Sequence, residues 1–267
     1  MNIPFSKFDG AGNDFVVIDN RTETVSLTTD QIARVCHRRM GVGADGLILL
    51  GRAGGEYDFA MHYYNSDGQP ADMCGNGGRC IAAFACDLGL GNTAADHPQV
   101  RFLADDGPHH AEIIFWNPSD GIGIVTVGMK DVPSAQIVRC LDGWLLDTGV
   151  PHYVQRVSNL SNFDVVGEGR RIRHMKELGP NGANVNFIED MDNGRLLVRT
   201  YERGVEDETF ACGTGVTACS IVTGNRLLTT RGGDFKVDFE PIGNAFTNVK
   251  LTGPVSLNFK GELTLKS

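Results

Sequence analysis

Two Cys-Gly-Xaa-Gly motifs, Cys74-Gly75-Asn76-Gly77 and Cys212-Gly213-Thr214-Gly215, stand 138 residues apart, and each opens into an apolar run. The same offset carries Asp14 to His152, Phe15 to Tyr153, Val16 to Val154, Tyr63 to Tyr201 and Asn65 to Arg203, without a gap. It also lays Leu47-Ile48-Leu49-Leu50 on Val185-Asn186-Phe187-Ile188. A repeated unit of this length has to solve its packing twice in the same way, so the echo constrains the fold more than any local pattern does. It predicts two halves of similar fold that descend from a duplication, and 267 residues suffice for two domains.

Local patterns fill in the halves. Phe15-Val16-Val17-Ile18-Asp19 and Leu47-Ile48-Leu49-Leu50 read as short buried strands, and Thr29 to Cys36 as a helix with an N-cap candidate at its start. Arg79 to Cys86, ending near Gly89, and the run from Gly215 to Val222 are apolar almost all round, which predicts helices buried at the centre of their halves. Segments 112–115, 123–127, 196–200 and 236–239 read as strands. The expected class is α+β: two similar domains related by a pseudo-twofold axis, each a curled, mainly antiparallel sheet around a central helix. The expected division is residues 1–128 with a C-terminal strand at about 255–267, and residues 129–254.

Composition narrows the partners. A formal charge of -9 argues against a nucleic acid or an anionic membrane, both of which demand a basic face. A local basic cluster such as Arg170-Arg171-Ile172-Arg173-His174 reads as a solvated loop. The first residues lack the apolar core of a signal peptide, and no apolar run approaches the roughly 20 residues that span a bilayer. The expectation is a cytoplasmic protein whose cysteines are thiols.

Each motif places a cysteine where a glycine-rich turn enters a helix. The helix N-terminus carries partial positive charge and free amide donors, which lower a thiol pKa from about 8.5 and also bind an anion such as a carboxylate. Two such sites facing one carbon make a device for inversion: a thiolate removes a proton from one face and a thiol delivers one to the other. The helix ends would stabilise the charge that grows as the proton leaves. No lysine context suggests a pyridoxal phosphate anchor. Cys74, Cys80 and Cys86 lack the short pairs of a zinc site, and neither motif carries the Lys and Ser/Thr of a phosphate loop. Covalent catalysis by a cysteine paired with His152 stays open. Cys36, Cys80, Cys86, Cys140 and Cys219 read as small buried apolar residues.

Lys7-Phe8-Asp9-Gly10-Ala11-Gly12-Asn13-Asp14-Phe15, Met73-Cys74-Gly75-Asn76-Gly77-Gly78-Arg79-Cys80, Tyr201-Glu202-Arg203-Gly204, Ala211-Cys212-Gly213-Thr214-Gly215 and the tail Leu251-Thr252-Gly253-Pro254-Val255 together resemble the signatures of the diaminopimelate epimerases. These are two-cysteine epimerases that need no metal or organic cofactor. The resemblance spans nearly the whole chain. It implies interconversion of LL- and meso-diaminopimelate in lysine and peptidoglycan synthesis, a site between two similar domains, and a homodimer. Cys74 and Cys212 match the base and acid. Gly75, Asn76, Gly213 and Thr214 match the backbone cradle of the reacting carboxylate. Asn13, Asn65, Asn184, Glu202 and Arg203 match residues that hold the substrate, largely its distal end. His152, with Glu202, matches the groups that tune the cysteines. Two positions depart from the pattern: Gly46 stands where a substrate-contacting Gln is frequent, and Val150 where an Asn often sits. A related racemase acting on proline or hydroxyproline, and a silent binding protein that kept the fold, are the competing readings.

Overall fold

Strand β1 (Asn2–Gly10) runs antiparallel to β2 (Asn13–Asp19), and the tight turn between them uses two residues with positive φ, Ala11 and Gly12. The computed structural model describes residues 2–92 and 94–264. The chain divides into two compact units, one holding residues 1–127 and 254–267 and the other residues 128–253.

In the first unit, β2 is followed by α1 (Thr29–Cys36), whose N-cap is Thr28 rather than Thr29. The Thr28 hydroxyl accepts from Gln31 N–H and the Gln31 side chain accepts from Thr28 N–H, a reciprocal capping box. Then come β3 (Gly46–Gly51), β4 (Phe59–Asn65), the two-residue β5 (Pro70–Ala71), α2 (Gly75–Asp87), β6 (Gln99–Ala104), β7 (Gly107–Asn117) and β8 (Ile122–Gly128). Pairing is parallel for β2–β3 and β4–β6 and antiparallel for β3–β4, β6–β7 and β7–β8.

In the second unit the order is β9 (Val132–Pro133), β10 (Val138–Cys140), β11 (Gly143–Asp147), β12 (Pro151–Arg156), α3 (Val165–Arg173), β13 (Asn184–Asp190), β14 (Leu196–Glu202), β15 (Asp207–Thr209), α4 (Gly213–Thr223), β16 (Leu227–Thr230), β17 (Gly233–Ile242) and β18 (Ala245–Thr264). The early part of β18 pairs with β17 and β9. Its later part, from Pro254, belongs to the first unit, where it pairs with β1 and β8 and closes that unit's strands into a ring. The strand thus starts ten residues before the expected 255, and residues 265–267 of that expectation lie outside the described residues.

The order strand–strand–helix–strand–strand–short strand–helix–strand–strand recurs in the two units, and so do the pairing senses: β12–β13 and β14–β16 are parallel, β13–β14 and β16–β17 antiparallel. Each unit is therefore α+β with a mixed sheet and one central helix. Helices α2 and α4 are buried from their first turn, α2 against β1, β7 and β2 and α4 against β12, β13 and β17. This explains their apolar composition: a helix enclosed by strands has no face left for water. Inward positions of β6 alternate as Val100, Phe102 and Ala104, the period of a sheet with one face on a core.

Two expectations need correction. The basic cluster at Arg170–His174 is not a loop. Through Arg173 it forms the last turn of α3, with Ile172 buried, Arg171 bonded to Glu168 one turn back and cations at the favourable end of the helix dipole. Cys86 and Cys140 are only part-buried, whereas Cys36, Cys80 and Cys219 lie in the cores. Among the described residues no helix is long and apolar enough to cross a membrane.

Candidate functional site

Cys74 is the N-cap of α2, with the extended backbone (φ -103°, ψ 148°) that an N-cap adopts. Its sulfur accepts the Gly77 N–H at 3.2 Å, while its carbonyl accepts the first helical bond from Gly78 N–H at 2.8 Å. A sulfur in this place takes the part usually filled by a Ser or Asp oxygen, and it gains from negative charge because the donors and dipole of the helix start face it.

Asn76 and Asn13 are joined to this helix start through a chain of oriented amides. The Arg79 guanidinium, fully buried one turn into α2, donates to the Gly75 carbonyl at 3.0 Å and to Asn76 Oδ1 at 2.9 Å. Asn76 Nδ2 then donates to Asn13 Oδ1 at 3.2 Å, and Asn13 Nδ2 donates to Asp45 at 2.8 Å. Asp45 and Asp14 both accept from Arg38, and Lys7 pairs with Asp14 and donates to the Gly43 carbonyl. A cation at one end and carboxylates at the other leave each amide only one workable orientation. Burial lowers the Arg79 pKa to about 10, opposed by the nearby Cys80, Cys74 and Asp9, so the guanidinium stays charged at neutral pH. Burial by itself would raise the Asp14 carboxyl. The bonds and charges of Arg38 and Lys7 outweigh it and hold that group at about 2.

Asn65 stands apart from this chain. It ends β4 with an exposed side chain, and its backbone closes a turn with Gln69 and Gly68. Gly46 lies opposite it in register. A Cβ on Gly46 would sit 2.5 Å from Tyr63 Cε2 and 2.6 Å from the Tyr64 carbonyl oxygen. Glycine at this position is thus enforced by the tyrosine packed over it, and a Gln there would require that ring to move.

In the second unit Cys212 is the N-cap of α4, 7% exposed. Its sulfur is 3.4 Å from the Thr214 hydroxyl, which is 2.9 Å from His152 Nε2. His152, fully buried on β12, meets Asn186 Nδ2 with its other nitrogen at 3.1 Å. Asn184 approaches Nε2 only to 3.5 Å; its firmer bonds are donation to the Pro151 carbonyl at 3.3 Å and acceptance from Arg203 N–H at 2.8 Å. Thr148 donates to the Thr214 carbonyl at 2.9 Å and steadies the first turn of α4. Arg203 and Glu202 are half-buried where β14 ends, and the Glu202 carbonyl accepts from Glu206 N–H. Val150 is half-buried in the connection between β11 and β12, and its carbonyl accepts from Thr148 N–H.

Burial, reinforced by the positive charge of Arg203, pulls His152 from 6.5 down to about 3. The folded ring is neutral near pH 7, whereas in the unfolded chain it takes up a proton below 6.5. Its stabilising contribution is therefore complete above that value and is lost as pH falls toward 3. The slope from this one group is about 1.4 kcal/mol per pH unit. Unfolding titrations between pH 6 and 4 should show that slope in the parent in excess of a His152→Gln variant, and equal slopes would refute it. The thiols of Cys36, Cys80 and Cys219 are all pushed up by burial, Cys36 to about 11, which makes them poor nucleophiles.

The structure thus groups Cys74, Gly75, Asn76 and Asn13 in one unit, and Cys212, Gly213, Thr214, His152, Asn184 and Arg203 in the other. Arg79, Asp45 and Asn186 belong to these networks without standing among the residues that the motifs single out. Two of these carried a signal: Arg79 is a lone cation in an apolar helix, and Asn186 a lone amide in the strand run Val185-Asn186-Phe187-Ile188.

The diaminopimelate epimerase family model matches residues 5–117 and 144–257. Diaminopimelate epimerase of Flavobacterium psychrophilum is 43% identical over 95% of this chain and 97% of its own length. That of Chlorobaculum tepidum is 40% identical over 96% and 99%. Among solved structures, a probable proline racemase from Agrobacterium radiobacter superposes with a TM-score of 0.71 at 14% identity, covering 99% of this chain and 93% of its own. A phenazine biosynthesis protein of the PhzF family from Bacillus anthracis also reaches 0.71, at 13% identity, covering 99% and 100%. At such identities these two likenesses speak to the fold alone.

Proposed function

Because the chain belongs to the diaminopimelate epimerase family, a family of isomerases, we propose that it interconverts LL- and meso-diaminopimelate, as a step of lysine and peptidoglycan synthesis, by passing a proton between Cys74 and Cys212. The observation that carries this reading is the position of the two sulfurs, each the N-cap of a buried helix entered through glycine.

In this reading the two cysteines act on opposite faces of one carbon. One cysteine, as thiolate, takes the α-proton. The electron pair left on carbon delocalises into the carboxylate, which the N–H groups at Gly75, Asn76, Gly213 and Thr214 hold. The other cysteine, as thiol, gives its proton to the opposite face. The product is the epimer, and the enzyme is left with the two protonation states exchanged, ready for the reverse direction. No metal or organic cofactor takes part. Arg203 grips the distal carboxylate, and Glu202 and the amides of Asn13, Asn65 and Asn184 receive the distal ammonium. His152 and Glu202 tune the cysteines. The enzyme works in the cytoplasm as a homodimer.

Gly46 and Val150 favour one competing reading, a racemase for a substrate without a distal amino acid, because each removes a polar side chain from that end. Exchange of the α-proton in deuterium oxide separates the two. We expect exchange with LL- and meso-diaminopimelate and none with proline or hydroxyproline. Exchange with proline but not with diaminopimelate would reject the proposed substrate.

A further inference from the structure

We propose that Asn186 is a positioning residue that holds His152 in its Nε2–H tautomer and thereby turns the Thr214 hydroxyl hydrogen toward the Cys212 sulfur. The consequence for catalysis rests on the reading of Cys212 given above; the tautomer itself does not.

The Tyr153 carbonyl can only accept, and the amide end of Asn186 that lies 3.0 Å from it must be Nδ2. That same nitrogen lies 3.1 Å from His152 Nδ1, so its second hydrogen points there. The opposite end, Oδ1, accepts from the Thr200 hydroxyl at 2.9 Å, which satisfies the amide on both sides. Nδ1 of His152 is therefore an acceptor and carries no proton. A neutral imidazole must then carry its proton on Nε2, and Nε2–H donates to Thr214 Oγ1 at 2.9 Å. With its oxygen engaged as acceptor, the Thr214 hydroxyl has its own hydrogen left for the sulfur 3.4 Å away. A donor aimed at sulfur favours the thiolate over the thiol.

Two further features fit this chain of donors. A Cβ at Gly215 would fall 2.4 Å from Asn186 Oδ1 and 3.3 Å from His152 Cε1. The second glycine of the motif is thus explained by the seat of this amide, and not only by the turn. Around the ring the neighbours are Leu146 on β11, Asn184 and Asn186 on β13, and Thr214 and Gly215 on α4. The charged or titratable groups that act on it are Arg203 and, through Thr214, Cys212. None of these can supply a proton acceptor for Nδ1, which leaves the tautomer in the control of Asn186.

The decisive measurement is long-range proton–nitrogen correlation NMR on the full chain with labelled histidine. His152 should show a protonated Nε2 and a bare Nδ1, and the reverse pattern overturns the proposal. Asn186→Asp replaces the donor with an acceptor of the same shape, so the proton should move to Nδ1, with Nε2 now accepting from Thr214. The pH inflection of Cys212 alkylation by iodoacetamide, read on its own peptide by mass spectrometry, should then rise by about one unit, and kcat should fall 10- to 100-fold with little change in KM. A swapped tautomer with an unmoved inflection overturns the link to Cys212. Should Asn186→Asp fail to fold, Thr214→Val removes the same hydroxyl, must raise the same inflection, and disproves the relay if it does not. If the parent shows the expected tautomer and inflection yet leaves diaminopimelate unchanged, the substrate reading fails and the relay stands.

Discussion

Replacing Cys74 with alanine will lower epimerisation by about 10³-fold or more, and replacing Cys212 will do the same, because in the proposed two-base mechanism each sulfur holds a role the other cannot fill. Positioned proton transfer by one group contributes typically 10²–10⁴-fold, and inversion demands it once on each face. Loss of either partner leaves a carbon that can be deprotonated or reprotonated from one side only, and that returns the starting isomer. Serine variants should be nearly as damaged, since an alcohol at a helix start still holds its proton far above neutral pH. The fold should tolerate the changes. Cys74→Ala gives up one bond from Gly77 N–H, a net loss of about 1 kcal/mol. Progress curves with LL-diaminopimelate, read beside thermal melts, separate lost chemistry from lost structure. A single-cysteine variant that epimerises at the parental rate would defeat the two-base mechanism and revive a cysteine–histidine pair. Parental protein that binds diaminopimelate without epimerising it would identify a silent binding protein.

The largest expected loss of stability lies elsewhere, in Glu208→Ala. Glu208 takes both arms of the Arg199 guanidinium, Nε and Nη2 at 2.7 Å each, and Arg231 stands 3.3 Å from the same carboxylate. The Arg199 and Glu208 side chains are only 16% and 6% exposed. Arg199 Nη1 also donates to the Leu160 and Phe163 carbonyls, which ties β14 to the turn leading into α3. Without the carboxylate a buried cation keeps its desolvation cost and loses its partner, with a second cation beside it. Breaking such a pair costs about 3–5 kcal/mol. Replacing the whole pair with well-packed apolar residues would cost far less, because no charge would be left behind. Urea unfolding of the full chain should show the midpoint of the second unit fall accordingly. A change below about 1 kcal/mol would mean that water reaches Arg199 and the pair is effectively a surface one.

The two cysteine positions and the helices behind them were legible in the chain for a local reason. A cysteine followed by Gly-Xaa-Gly and an apolar run describes an enclosed helix whatever surrounds it, although α2 and α4 already begin at Gly75 and Gly213, so that the glycines read as a turn form the first helical turn instead. The offset of 138 residues likewise needed only the sequence, since a repeated element order shows itself before any contact is known. Helix α3 was missed because its apolar positions are few and its glycines, Gly167 and Gly169, disguise the period. Gly169 is there because a Cβ would meet Tyr201 at 2.4 Å, a contact between residues 32 apart that no window reveals.

What tertiary structure alone decided is which hydrogens point where. Asn186 and Thr214 lie 34 and 62 residues from His152 along the chain, and Asn76 lies 63 from Asn13, and their roles depend on donor–acceptor geometry at about 3 Å. Propensity and periodicity carry no information at that scale, because a strand places an amide on a face without saying what will meet it. The sequence by itself determined that two cysteines would stand at the starts of two buried helices; the packing of strands around those helices determined that the Cys212 sulfur would lie beside the Thr214 hydroxyl, and that Gly46 would lie where a Cβ meets Tyr63 and the Tyr64 carbonyl.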